Sequence, residues 1–261
     1  MDVIIRPTPE AACQLVARVI AGELRHKPHL VLGLATGTTM EGVYRELVRM
    51  HREEKLDFSL CRTFNLDEYI GLSPTHPNSY HRFMREHLFD RVNIDPRNTR
   101  LPNGLAPSLD AECARYEEMI HDVGGIDLQL LGIGRAGHIG FNEPLSAFRS
   151  RTRVKALSPD TVAQNAPLFA DPAAMPRRAI TVGVGTILDT SRCILLATGT
   201  AKANIIARAV EGPIAGMVSA TALQLHPRCN VVVDEEAASR LEGVEHYRWI
   251  FENEPEWEAF R

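Results

Sequence analysis

His138 and Glu143 lie in one glycine-rich turn, Gly132-Ile-Gly-Arg-Ala-Gly-His-Ile-Gly-Phe-Asn-Glu-Pro144, which follows the apolar run Ile126-Asp-Leu-Gln-Leu-Leu-Gly-Ile133. A run of this length stopped by glycine reads as a buried strand. The carboxyl ends of such strands are where α/β sheets bind ligands. Glycines there let the backbone approach a ligand closely and adopt φ > 0. Histidine suits proton transfer near neutrality, and a nearby carboxylate can fix its tautomer. A turn-filling histidine bonded to backbone is the plainer alternative, but the carboxylate and glycines beside it favour catalysis. Gly132-x-Gly134-x-x-Gly137 also matches the letters of a dinucleotide fingerprint. Gly140 and Pro144 interrupt the helix that fingerprint requires, and Asp160 falls in a Ser-Pro-Asp turn, so no redox cofactor is expected.

Three other strand ends offer chemistry. In Leu34-Ala-Thr-Gly-Thr-Thr39, the amides and hydroxyls of Thr36, Gly37, Thr38 and Thr39 precede a helix and form a natural phosphate cradle. An N-cap alone would explain Thr38 or Thr39. Phe64-Asn-Leu-Asp-Glu-Tyr69 closes a strand with two adjacent carboxylates. These residues leave two readings open: solvated or helix-capping acids, or a buried Asp67 acting as a general base with a raised pKa. In Thr198-Gly-Thr-Ala-Lys202 a lysine sits in the first turn of a helix, against the dipole, which points to an anionic ligand.

Positioning these groups requires alternating strands and helices. Strands are expected at His29–Leu34, Cys61–Leu66, Ile126–Ile133, Cys193–Thr198 and Asn230–Val233. Helices are expected around Leu15–Leu24 and over Met40–His51, Ser79–Phe89, Leu109–His121 and Ala201–Val210. The alternation predicts a single α/β domain over 1–261, with a mainly parallel sheet and helices on both faces. Residues 145–178 lack clear periodicity beside the proposed site and read as a lid. A net charge of −4 without runs of like charge argues against nucleic-acid or membrane surfaces. The first residues show no signal-peptide core, and a cytoplasmic protein is expected. The scattered cysteines Cys13, Cys61, Cys113, Cys193 and Cys229 read as reduced core thiols, and no histidine spacing suggests a metal.

Together these motifs resemble the glucosamine-6-phosphate deaminase (isomerase) family. Thr181-Val-Gly-Val-Gly-Thr-Ile-Leu-Asp189, Gly199-x-x-Lys202 and Ala222-Leu-Gln-Leu-His226 extend the match from about Pro9 to Asp234. The resemblance implies a Rossmann-like α/β fold and conversion of glucosamine 6-phosphate and water to fructose 6-phosphate and ammonia, without a cofactor. It implies Asp67 as the base moving a proton from C2 to C1. It implies His138 as the ring-opening residue, Glu143 as its orienting carboxylate, and Thr36–Thr39 with Lys202 as the phosphate site. The partner implied is a small sugar phosphate, and the sequence leaves room for a homo-oligomer.

Two positions depart from the family pattern. Ala136 stands where relatives have Asp or Asn, so ring opening must rest on His138 and Glu143. Pro167 replaces a lid arginine that contacts phosphate. The retained cradle and Lys202 favour a substitute cation, with Arg149, Arg177 and Arg178 as candidates. Arg153 and Lys155 match allosteric positions of some members, but Ala156 departs, so the resemblance does not support allosteric activation.

The rivals are a galactosamine-6-phosphate isomerase, a 6-phosphogluconolactonase, a sugar-phosphate-sensing regulator domain and a catalytically weak binding protein of the same fold. Phe141-Asn-Glu-Pro144 argues against the lactonase, and the few residues before the first helix argue against the regulator.

Overall fold

The computed structural model describes residues 1–261. Strand β1 (Asp2–Arg6) leads into α1 (Pro9–His26), then β2 (Val31–Leu34), α2 (Thr38–Glu54) and β3 (Arg62–Asn65). The chain continues through β4 (Asp67–Tyr69), α3 (Tyr80–His87), β5 (Thr99–Arg100), α4 (Leu109–Asp122) and β6 (Leu128–Leu131). Next come β7 (Arg153–Ala156), α5 (Pro159–Asn165), β8 (Arg178–Thr181), α6 (Val184–Leu188), β9 (Cys193–Ala197) and α7 (Ala203–Val210). The chain then forms β10 (Cys229–Asp234), α8 (Glu235–Ala238) and α9 (Val244–Asn253).

Seven strands form a parallel sheet in the order β1-β10-β9-β6-β2-β3-β5. Its central strands are buried on both faces, so they read as continuous apolar runs. Helix α1 shows how a covering element is specified. Thr8 caps it by accepting from Ala11 N at 3.1 Å, and Pro9 occupies its first turn. Ala12, Leu15, Val16, Val19, Ile20 and Leu24 then recur on one buried face. The expected mainly parallel α/β architecture is what forms, and no helix is long and apolar enough to cross a membrane.

The sequence did not disclose a second, antiparallel sheet, β4-β8-β7. Asp67 pairs with Thr181 across β4 and β8, and Thr181 with Arg153 across β8 and β7. The chain crosses between sheets at Leu66, whose N–H donates to Leu34 O at 3.0 Å while its carbonyl accepts from Val182 N at 2.7 Å. The small sheet covers its own apolar cluster of Tyr69, Phe141, Leu157, Phe169, Met175 and Ala179. Residues 145–178 are therefore more ordered than their weak periodicity suggested, since they contain β7 and α5.

Trp257 closes the outer edge of the large sheet. It is fully buried, donates from Nε1 to Asp2 Oδ2 at 3.3 Å, and lies beneath the Arg192 guanidinium, 5.8 Å from the ring centroid. Trp257→Ala is expected to destabilise the fold by roughly 3–5 kcal/mol, the range for a buried large-to-small change. Urea unfolding checks the loss, and the catalytic constants of the folded fraction should not move.

Candidate active site

A cavity of about 480 Å³ opens at the carboxyl ends of β2, β3, β6 and β9 and reaches the small sheet. That volume suits a small ligand. Thr36, Gly37, Thr38, Thr39, Asp67, His138 and Lys202 all line it, so the expected site residues other than Glu143 share one wall system. Glu143 lies behind His138, buried at 3% exposure.

Asp67 begins β4 just past the crossover at Leu66. Its carboxyl is buried and has no donor among its interactions, so burial pushes its pKa up to about 8, with the neighbouring Glu68 charge adding to the rise. The two adjacent acids left open by the sequence thus separate. Glu68 turns the other way and caps α3, accepting from Tyr80 N at 3.1 Å and His81 N at 3.0 Å. Asp67 keeps an unpaired carboxyl at the cavity.

The turn after β6 is held from several sides. Thr181 Oγ1 accepts from Phe141 N at 3.0 Å, and Asn142 Nδ2 donates to Ile139 O and Val182 O at 2.9 and 2.8 Å. Ser219 donates to Asn142 O at 2.7 Å, and Arg153 donates to Asn142 Oδ1 at 2.9 Å and Ser146 Oγ at 3.0 Å. Arg153 is thus committed to the turn. Asn142, Thr181 and Ser219 were not singled out from sequence, although Asn142 and Thr181 lie inside quoted motifs.

His138 owes its place to Gly134. A Cβ at Gly134 would lie 2.0 Å from His138 Nε2, so only glycine leaves room for the ring. Nδ1 faces Glu143 Oε2 at 3.4 Å, a long contact, and neither atom has another partner. Glu143 Oε1 accepts from Ser158 N at 3.0 Å. Burial pushes the Glu143 pKa up, but His138, Thr161 and the Ser158 amide outweigh it and hold the value at about 2. Glu143 is therefore a fixed negative charge behind the imidazole.

At the opposite end, Gly37 (φ 110°) opens α2, and no side chain caps that helix. Thr38 and Thr39 fall within its first turn, leaving their hydroxyls and amides open to an anion. Lys202 sits in a short 3₁₀ turn ahead of α7, and its Nζ donates to Ile133 O at 2.6 Å. Burial and nearby Arg135 both lower its pKa. Asp234 fixes that turn by accepting from Gly199 N at 2.9 Å, and Glu236 accepts from Thr200 N at 3.1 Å.

Gln164, Asn165, Leu168 and Phe169 form a further wall. Asn165 Nδ2 donates to the Tyr69 hydroxyl at 3.0 Å, and Asn78 Nδ2 donates to Leu168 O at 2.9 Å. Three arginines were the candidates for a substitute phosphate-binding cation. Arg149, Arg177 and Arg178 are exposed and none lines the cavity. Lys202 is the one lysine or arginine on its wall.

Residues 8–229 match the family of glucosamine-6-phosphate isomerases/6-phosphogluconolactonase. A glucosamine-6-phosphate deaminase of Hahella chejuensis is 49% identical over 250 residues, covering 96% of this chain and 95% of that protein. One from Arthrobacter sp. (strain FB24) is 47% identical, covering 99% of this chain and 100% of that protein. The solved structure of a monomeric glucosamine-6-phosphate deaminase superposes with a TM-score of 0.90 at 46% identity, covering 92% of this chain and 100% of that one. The chain belongs to the glucosamine-6-phosphate isomerase/6-phosphogluconolactonase family and stands among its glucosamine-6-phosphate deaminases.

Proposed function

We propose that the protein converts glucosamine 6-phosphate and water to fructose 6-phosphate and ammonia. The observation carrying this reading is the unpaired, buried Asp67 carboxyl, which shares a cavity with the His138–Glu143 pair and with a cradle fit for phosphate. His138 moves the proton that opens the sugar ring, and Glu143 holds the imidazole tautomer and its transient charge. Asp67 takes the C2 proton of the open chain and returns it to C1. As the aldehyde oxygen gains a proton that the amino group gives up, the double bond to nitrogen forms at C2, where water adds and ammonia leaves. Thr36–Thr39 and Lys202 hold the phosphate, and residues 145–178 act as the lid. The reaction draws on phosphorylated sugar, which fits a cytoplasmic location. Ammonia and ketose 6-phosphate assays on glucosamine and galactosamine 6-phosphates test the assignment, and no ammonia from the glucosamine compound overturns it.

Asp67 must be ionised to accept a proton, so kcat/KM should rise with pH through a limb near 8. Asp67→Asn is expected to lower kcat by roughly 10²–10⁴. The same change should stabilise the protein at high pH. A carboxyl raised in the folded state favours folding below its unfolded value of 3.8, and that contribution is lost as pH rises toward 8. Thermal melts at pH 6 and 9 check the sign: the asparagine variant should gain most at pH 9.

His138 and Glu143 act as a unit, so Glu143→Gln added to His138→Ala should cost little beyond His138→Ala alone. Additive losses in kcat would place Glu143 in a different role.

Lys202 being the sole lysine or arginine on the wall, Pro167→Arg should lower KM for glucosamine 6-phosphate about tenfold, near 1.4 kcal/mol for one added charged contact. An unchanged KM would mean the lid at this point does not reach the phosphate.

A further inference from the structure

Glu68 is the one buried acid beside the cavity to which the mechanism above gives no part. It is 1% exposed and accepts from three backbone amides: Tyr69 N at 2.8 Å, Tyr80 N at 3.1 Å and His81 N at 3.0 Å. His81 Nδ1 lies 2.8 Å from the same carboxylate. Burying a carboxylate is costly unless it is hydrogen-bonded, and these groups supply the bonds.

Ser79 caps α3 at the third amide, accepting from Arg82 N at 3.2 Å, and leaves the first two to Glu68. Glu68 reaches the first amides of the same helix from β4, so its bonds pin α3 to the strand that carries Asp67. The pinned turn begins with Tyr80, a cavity-wall residue. Its ring stacks on Phe141 with centroids 6.1 Å apart and planes at 13°, and its hydroxyl lies 3.4 Å from that of Tyr69.

We propose that Glu68 is a positioning residue for the proton transfer, its carboxylate seating the Tyr80 wall and standing directly beside Asp67. The titratable groups around Asp67 are few. Glu68 and Tyr69 come from its own strand, Tyr80 from α3, Tyr116 from α4 and His138 from the catalytic turn. Glu68 is the one acid among them. Its charge reinforces what burial does, raising the proton affinity of a base that must take hydrogen from carbon. A neutral acceptor at position 68 could cap the helix but could not do this.

The inference rests on the deaminase reading for its turnover assay, and a second measurement does not. Glu68→Gln removes the charge, whereas Glu68→Asp keeps it and withdraws it from the helix amides. In Glu68→Gln, kcat should fall about tenfold or more with KM within about twofold, and the limb of kcat/KM should move to lower pH by about half a unit or more. In Glu68→Asp, kcat should fall while the limb stays within about 0.2 unit. Difference infrared titration of the Asp67 carboxyl, identified with Asp67→Asn, reads the same shift without substrate. A folded Glu68→Gln protein with unmoved limb and unmoved carboxyl titration overturns the proposal, as does wild-type kcat in both variants. If Glu68→Gln does not fold, kcat of Glu68→Asp decides. If the wild type releases no ammonia from glucosamine 6-phosphate, the functional reading fails, and the infrared titration still decides whether Glu68 charges the site.

Discussion

The backbone of Leu66 belongs to two sheets at once. Its N–H extends the β2–β3 ladder of the parallel sheet at Leu34, and its carbonyl receives Val182 from the antiparallel one. Because side chains alternate along a strand, this double commitment decides where the next two acids point. Asp67 is left at the cavity without a donor, and Glu68 is sent to the N-terminus of α3. A chain continuing straight along β3 could not serve both sheets. The ladder geometry therefore comes first, and the distinction between a reactive and a structural carboxylate follows from it.

Two buried acids at one cavity end in different states for physical reasons of the same kind. Burial disfavours charge on both, and the count of nearby donors decides the outcome. Asp67 has none and is pushed up; Glu143 has His138, Thr161 and the Ser158 amide and is pulled down. One acid can thus exchange protons near neutrality while the other stays ionised behind the histidine. The opposite end of the cavity is set by complementary means: an uncapped helix start and a partly desolvated lysine.

Much of this was legible because parallel strands buried on both faces announce themselves as apolar runs. The runs ending at Leu34, Leu131 and Ala197 locate the cradle, the histidine turn and the lysine from the order of residues alone. The small sheet was not legible. Arg153-Val-Lys-Ala156 is short, charged and only half buried, and it becomes a strand because β8 is there to pair with it. Nor could the sequence separate Asp67 from Glu68, since the helix amides that claim Glu68 lie twelve and thirteen residues further on. The exposure of Arg149, Arg177 and Arg178 was not legible either, since nearness in sequence to the cavity-lining residues 164–169 does not fix which way a side chain points.

The five buried thiols have a use unrelated to catalysis. Cys13 lies in α1, Cys61 just before β3, Cys113 in α4, Cys193 in β9 and Cys229 in β10, so they sample helices and both halves of the large sheet. Burial raises the pKa of every one, which suppresses the reactive thiolate while the fold is closed. Each becomes reactive when its own layer opens, so the order in which a small alkylating reagent marks them records the order in which the layers come apart. The molecule carries its own set of stopwatches for local unfolding.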